Sequence, residues 1–312
     1  MTVFERDRVA SGASGAAVGA LQPLLGMRLS LRDRNLEGFA KTSQLVRDLL
    51  VEDRTWRQPG VLRLSVRPDQ VERWRTNFAG LPKGLAQWRE PAECRAVEPR
   101  LKESILAGVW IEDGKFVDIP AFIEALLSHA DATVYEHLGV QEIERAGSGL
   151  TLVLDNGERT DFDAVVICSG AQAPAPLRGE VLELAPYMGI LAAFGGIEPP
   201  AVALNHRGYI SAWRDGAVLV GTVDRRPPFA NEPTDATVAE LRARLNEVLS
   251  DCEDARLLKV WKGLRPAMLD REPVVQRSMT MGAAWIFSGF GGRGLLLGPM
   301  LAEELAAEMC AG

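Results

Sequence analysis

Near the C-terminus, Ser288-Gly289-Phe290-Gly291-Gly292-Arg293-Gly294 follows the apolar run Ala284-Trp285-Ile286-Phe287 and leads into a helical stretch from about Leu295 to Met309. A glycine-rich loop ahead of a helix start presents backbone N–H groups to an anion or a carbonyl oxygen. A second run, Ala164-Val165-Val166-Ile167-Cys168, is apolar throughout and stops at Ser169-Gly170. That is the pattern of a strand buried on both faces of a parallel sheet, and a strand ending in a glycine turn is nucleotide-site geometry. Thr2-Val3-Phe4 leans to strand and ends in Glu5, ahead of Ala10-Ser11-Gly12-Ala13-Ser14-Gly15-Ala16-Ala17, a loop poor in side chains. Other chemistries find no support. His129, His137 and His206 share no metal or triad spacing, and Cys94, Cys168, Cys252 and Cys310 form no C-x-x-C pair.

The elements that must position these loops are legible in the periodicity. Leu36, Phe39, Ala40, Leu45, Leu49 and Leu50 recur at three- and four-residue spacing, which predicts one amphipathic helix over residues 31–52. Residues 60–110 alternate short strand-like pieces with Pro- and Gly-punctuated connections, as in antiparallel sheet with short helices. Asp118 is placed to cap a helix that carries Pro120 in its first turn. Leu150 to Leu154 and Glu158 to Phe162 flank Asn156-Gly157, which predicts a hairpin with the positive φ angles of a tight Asn-Gly turn. Residues 209–223 read as two strands about Asp215-Gly216, and 237–249 as an amphipathic helix.

At 312 residues the chain can bury a large core, as one α/β domain or as two interleaved lobes, and the second arrangement is the expected one. With 47% hydrophobic and 25% charged residues, it reads as an ordered globular enzyme and not a disordered segment. The formal charge of −7 argues against a broad electrostatic footprint for nucleic acid, while leaving room for a local basic patch. No apolar run approaches the roughly 20 residues needed to cross a bilayer, and no signal-peptide pattern follows Met1, so no membrane association and a cytoplasmic location are expected.

Taken in order, the Val3-Phe4-Glu5-Arg6 strand end, Gly12-Ala13-Ser14-Gly15, the Val165 to Gly170 strand-turn, Gly263-Leu264-Arg265-Pro266 and Gly291-Gly292-Arg293-Gly294 resemble the D-amino-acid oxidase and glycine oxidase superfamily. The resemblance implies an α/β (α+β) chain: a Rossmann-like FAD-binding domain, lacking its first βα unit, interleaved with an antiparallel-sheet substrate domain. The expected boundaries are 1–30, 112–175 and 260–312 for the FAD domain, and 31–111 with 176–259 for the substrate domain. Gly12 to Leu25 and the terminal helix are also similar to the oxidase domain of the bifunctional tRNA 5-methylaminomethyl-2-thiouridine biosynthesis enzyme.

The same resemblance implies a role for each site residue. Glu5, followed by Arg6, takes the adenosine ribose, and an acceptor-only carboxylate suits paired hydroxyls. Ser11, Gly12, Ala13, Ser14 and Gly15, then Gly19, Ala20 and Leu21, lie along the pyrophosphate and ribityl chain. Val140 contacts adenine through its backbone, and Ser169 and Gly170 close the strand-turn. Gly291, Gly292, Arg293, Gly294 and Leu295 bring N–H groups to the flavin pyrimidine carbonyl, helped by the dipole of the last helix. Arg265 grips a substrate carboxylate through two parallel hydrogen bonds, its other reading being a surface ion pair. Tyr209 closes over the substrate, its other reading being a strand aromatic in the core. The implied cofactor is FAD, and the partner a small amine or amino acid, with tRNA as a second partner. The implied reaction is oxidation of a glycine-like C–N bond by hydride transfer to flavin. The alternatives are wobble-uridine carboxymethylaminomethyl oxidation on tRNA, and a remnant without flavin.

The family opens with a strand and a G-x-G-x-x-G turn ahead of its second strand, the position Thr2 to Glu5 occupies, and no copy of that turn is expected elsewhere in the chain. Its absence predicts unpaired edges in mid-sheet. Three origins are open: a translation start placed too late, which an upstream in-frame glycine motif would reveal; a fragment; or a split protein completed by another chain.

Overall fold

The computed structural model describes residues 1–50, 60–171, 182–229 and 233–311. Strand β1 (Thr2–Glu5) runs into the small-residue loop, and β2 (Ala20–Leu21) leads to helix α1 (Asp33–Leu49). Next come β3 (Val61–Ser65), α2 (Pro68–Ala79), β4 (Gln87–Arg89), α3 (Pro91–Val97), β5 (Ala107–Ile111) and β6 (Lys115–Phe116). Helices α2 and α3 each begin on a proline, whose fixed φ suits a first turn that has no N–H to lose. Helix α4 (Ile119–His129) is capped by Asp118, whose carboxylate accepts the Ala121 N–H at 3.3 Å.

Strands β7 (Thr133–Glu136), β8 (Val140–Ala146), β9 (Gly149–Leu154), β10 (Arg159–Phe162) and β11 (Val165–Ile167) come after it. The β9–β10 hairpin forms around Asp155-Asn156-Gly157, closed by the Leu154 N–H bond to Glu158 O at 2.9 Å, but of the Asn-Gly pair Gly157 alone has a positive φ, 85°, which corrects the expectation of two. Asn156 Oδ1 instead accepts the Glu158 N–H at 2.9 Å, bracing the turn from its side chain. The rest of the chain supplies β12 (Tyr187–Gly195), β13 (Ala203–Asn205), β14 (Tyr209–Ala212), β15 (Val218–Arg225), α5 (Asp235–Val248), β16 (Arg256–Arg265), β17 (Val274–Arg277), β18 (Ala284–Ser288) and α6 (Gly294–Ala311).

The largest sheet has the order β16-β12-β15-β14-β13-β3-β5-β4 and is antiparallel except where β13 meets β3. One of its faces packs Ile190, Phe194 and Val220 against Leu241 and Leu245 of α5. The other carries Leu191 and Leu219 beneath Ala16, Val18 and Phe116, with Tyr209, Trp213 and Trp261 at the margin. This second face is the one the N-terminal loop covers. The expected boundary at residue 260 falls inside β16, which pairs with β12. The boundary between 175 and 176 lies outside the described residues.

The parallel strands form two separate pieces. β1 pairs with β7, and β11 pairs with β18, which in turn pairs with β17; among the described residues no ladder joins the two. Both rest on one apolar cluster, with Phe4 and Val165 packed against Ile143, Leu150, Leu152, Ile167 and Ile286. The expectation that residues 164–168 are buried on both faces is corrected: Val166 is 38% exposed, because β11 has a described neighbour on one side only. A two-stranded pair is marginal alone and draws its stability from the layer beneath it. Amides of β1 and β11 are therefore expected to exchange at least about a hundredfold faster than those of β12, which is paired on both edges. Hydrogen–deuterium exchange read by mass spectrometry checks this, and equal protection would mean that the two pieces behave as one cooperative sheet.

Candidate functional site

Arg265 ends β16 directly opposite Tyr187, the first residue of β12. Its guanidinium lies across Gly189: a Cβ at that glycine would stand 2.7 Å from Arg265 Cζ, so only a bare backbone leaves the lane open. The Tyr187 ring flanks the same guanidinium at 5.6 Å. Nη1 lies 3.5 Å from Thr222 Oγ1 and 3.5 Å from Asp224 Oδ1. Asp224 is 54% exposed while the arginine is 14% exposed, so this ion pair is weak, worth under about 1 kcal/mol, and most of the guanidinium's donors remain available. The ion pair expected by the alternative reading of Arg265 is present with Asp224, on an arginine that is itself largely enclosed.

Above it stands the turn between β18 and α6. A Cβ on Gly292 would lie 3.8 Å from Arg265 Nη1, and Cβ atoms on Gly291 and Gly292 would lie 3.3 and 3.4 Å from the Tyr187 hydroxyl. Gly291, at φ 57°, donates its N–H to Pro266 O at 2.6 Å, so that group is not available to a ligand as expected. Arg293 N–H is also occupied, by Phe290 O at 2.9 Å, and its side chain turns to Glu272 at 3.4 Å and to the Arg271 carbonyl. The first α6 bond runs from Leu297 N–H to Arg293 O, which leaves Gly294, Leu295 and Leu296 N–H at the helix head without intrahelical acceptors.

Contrary to expectation, glycines in G-x-G-x-x-G spacing do occur, at Gly289, Gly291 and Gly294 between β18 and α6. Gly289 has φ 79° and no room for a side chain, since its Cβ would stand 2.7 Å from Met268 Cγ. The pattern here shapes the turn.

The N-terminal loop is pressed onto the same strand. A Cβ on Gly263 would lie 2.7 Å from Ala13 Cα and 3.1 Å from Ala16 Cβ. Ser11, Gly12 and Ser14 are exposed, with open space where a Gly12 side chain would be, whereas Gly15 has none because Ala10 O fills the position. Gly19 is held at φ 77° against Val117, and Leu21 is wholly buried among α1, α4 and α6, so Ala20 and Leu21 can offer only backbone.

Glu5 Oε1 accepts the Asp7 N–H at 2.9 Å, leaving its second oxygen, while Arg6 lies beside Asp7 at 3.6 Å. Glu136, its partner in register on β7, holds the Val9 N–H at 2.7 Å. Glu136 escapes a motif search, since its signal is the parallel pairing and not a local pattern. Val140 is half-buried at the start of β8. Gly170, at φ 65°, accepts from Ser288 Oγ at 3.1 Å, which ties the ends of β11 and β18 together beside Ser169.

Tyr209 is not brought beside Arg265. It lies on β14, three strands away on the same face, with its ring edge-on to Phe116 at 5.5 Å. Its hydroxyl accepts from Gln22 Nε2 at 2.6 Å, and burial pushes its pKa up despite the nearby Arg63 and that hydrogen bond. Gln22 Oε1 is buried with no partner among the described residues. Gln22, Glu136 and Tyr187 are the residues that sequence patterns missed; the role of each is set by a distant segment.

The chain matches the family of FAD-dependent oxidoreductases over residues 1–308. It is 31% identical over 312 residues to the tRNA 5-methylaminomethyl-2-thiouridine biosynthesis bifunctional protein MnmC of Maricaulis maris, covering 99% of this chain and 48% of that protein, about half its length. Glycine oxidase of Geobacillus kaustophilus is 25% identical over 328 residues, covering 96% of this chain and 84% of that one. The crystal structure of that glycine oxidase superposes with a TM-score of 0.84, covering 99% of this chain and 87% of that chain at 24% identity, a likeness of fold.

The lane over Gly189 is testable by itself. Gly189→Ala forces a Cβ into the Arg265 guanidinium and is expected to lower unfolding free energy by about 1–3 kcal/mol, measured by urea titration. A neutral or stabilising result would show that the guanidinium is not packed there.

Proposed function

Since the chain belongs to the family of FAD-dependent oxidoreductases, we propose that it oxidises the C–N bond of a glycine-like amine or amino acid. The observation that carries this reading is the enclosed Arg265, held over Gly189 and beneath the Gly291–Gly292 turn. A cation fixed there can take a carboxylate in a two-point grip, which sets the position of the adjacent α-carbon.

The residues present fit a flavin at its ring end. The donor set is right: the Gly294, Leu295 and Leu296 N–H groups stand at a helix head, and Gly294 has no close neighbour a Cβ would strike. At the other end, the free oxygen of Glu5 suits a ribose hydroxyl, and the open backbone at Gly12 admits a phosphate chain. FAD, when bound, supplies the hydride acceptor. The chain's own work is orientation and electrostatics: Arg265 anchors, the Tyr187 ring flanks it, and the α6 head would stabilise negative charge near the turn. Tyr209, three strands from Arg265, stays protonated at neutral pH, with Gln22 donating to its oxygen.

A second reading is oxidation of a carboxymethylamino group on a tRNA base. It is favoured by the 31% identity, along the whole chain, to a tRNA-modifying protein of which this chain spans about half. The reacting group would again be an N-substituted glycine, so the same Arg265 would serve.

Arg265→Ala is expected to lower kcat/KM for glycine by about a hundred- to a thousandfold, and Arg265→Lys by about tenfold or more, because an ammonium cannot reproduce the planar grip. Steady-state rates with a dye acceptor and FAD in excess check this; an unchanged kcat/KM in Arg265→Ala would remove the anchor from the mechanism. Tyr209→Phe, three strands from Arg265, is expected to leave kcat/KM for glycine within about twofold and the pH profile below about pH 10 unchanged, since burial raises the phenol's pKa. A basic limb that disappears in the variant would contradict this.

A further inference from the structure

We infer that Arg226 is a second anion-binding residue beside Arg265, and that it selects substrates whose amine carries two carboxylates. The inference rests on the carboxylate anchor proposed at Arg265 and narrows the substrate class it serves. Arg226 directly follows β15 and comes next in register after the Met188–Arg225 pair, which sets it beside Tyr187. Pro227 comes after it, and a residue before proline is held extended. Arg265 stands opposite Tyr187 on the other side, from β16. Three neighbouring strands thus bring Arg226, Tyr187 and Arg265 into one row. Side chains alternate along a strand, and Met188 packs into the apolar layer shared with α5, so Tyr187 stands on the opposite face, that of the Arg265 site.

The two arginines share the Tyr187 ring. Arg265 Cζ lies 5.6 Å and Arg226 Cζ 5.3 Å from its centroid, so no more than about 11 Å separates the guanidinium carbons. Like charges this close repel. Among the described residues, Asp224 is the one acid paired to either, at 3.5 Å from Arg265, and it is 54% exposed. Arg226 is exposed, and only its Nη1 is engaged, donating to Ala185 O at 3.3 Å. Arg225, one residue earlier, pairs with Glu240 at 2.8 Å. A surface arginine kept for stability would have an acid in the same way.

Two arginines and one aspartate leave one positive charge in the row. A glycine zwitterion is neutral and cannot cancel it. An amine with two carboxylates and one ammonium carries the single negative charge that matches. The spacing agrees: a gripped carboxylate has its carbon about 4 Å from Cζ, which leaves a few ångströms between two carboxylates held at once, the reach of a short diacid.

The test uses two unreactive acids of equal chain length, glutarate and valerate, which differ only in the second carboxylate. Each is titrated into FAD-loaded protein, and binding is read from the visible flavin bands. The wild type is expected to hold glutarate at least about tenfold more tightly than valerate. Arg226→Gln is expected to bring the two within about twofold by weakening glutarate, and Arg226→Lys, which keeps the charge, to retain at least about a threefold preference. Arg226 is exposed, so neither change disturbs the core. Failure of glutarate to bind, no preference in the wild type, or a preference that persists in Arg226→Gln overturns the subsite. Arg265→Ala is expected to weaken both acids. If it weakens neither while Arg226→Gln still abolishes the preference, the subsite stands and the Arg265 anchor alone fails.

Discussion

The site depends on close backbone contact at two glycines. Gly263 lets the Ala13–Ala16 loop lie directly on β16, and Gly189 lets the Arg265 guanidinium lie flat across β12. Neither contact survives a Cβ without something shifting. Together they press the loop after β1, the end of the large antiparallel sheet, and the turn after β18 into one region. The chemistry therefore does not reside in any one element: the cation comes from β16, the donors from the head of α6, and the small-residue cover from residues near the N-terminus. A rigid sheet holds the first of these in place, consistent with the general need to fix reacting groups to within a fraction of an ångström.

Much of this is legible in the sequence because it rests on local rules. The capping of α4 by Asp118, the amphipathic α1, the β9–β10 hairpin and the glycine turn before α6 all arise from spacing of a few residues. Arg265 is visible as a cation beside Gly263 and Pro266. What is not legible depends on pairing between distant segments. Gly189 reads as an unremarkable glycine in an apolar strand until β12 is set beside β16, and Tyr187 acquires its place only through that register. Tyr209 stands out in the sequence, but its partner Gln22 lies 187 residues away. The Gly291 N–H reads as a ligand donor and proves to be held by Pro266 O, a carbonyl at the far end of the β16 segment. At Asn156-Gly157 the positive φ expected of both falls on Gly157 alone, and Asn156 instead satisfies the Glu158 N–H from its side chain.

The parallel strands set a second constraint. Among the described residues, β7–β1 and β11–β18–β17 share an apolar floor but no ladder, and Val166 is left partly in solvent. The ring end of the proposed cofactor site is built on α6 and the large sheet, which are extensively paired or packed, while the ribose end is built on the two-stranded piece that carries Glu5 and Glu136. A cofactor held as proposed would be gripped unevenly: firmly where charge must be stabilised, and less firmly where only binding energy is at stake.

If Arg265 anchors a carboxylate next to the ring end of a flavin, spectroscopy can show it without turnover. FAD-loaded protein would be titrated with glycolate, following the visible flavin bands in the wild type and in Arg265→Ala. A saturable spectral shift is expected in the wild type, and it should be lost, or need at least about a hundredfold more glycolate, in the variant. A shift of equal size at equal glycolate in both proteins would contradict the anchoring role, and would place the carboxylate site elsewhere in the chain.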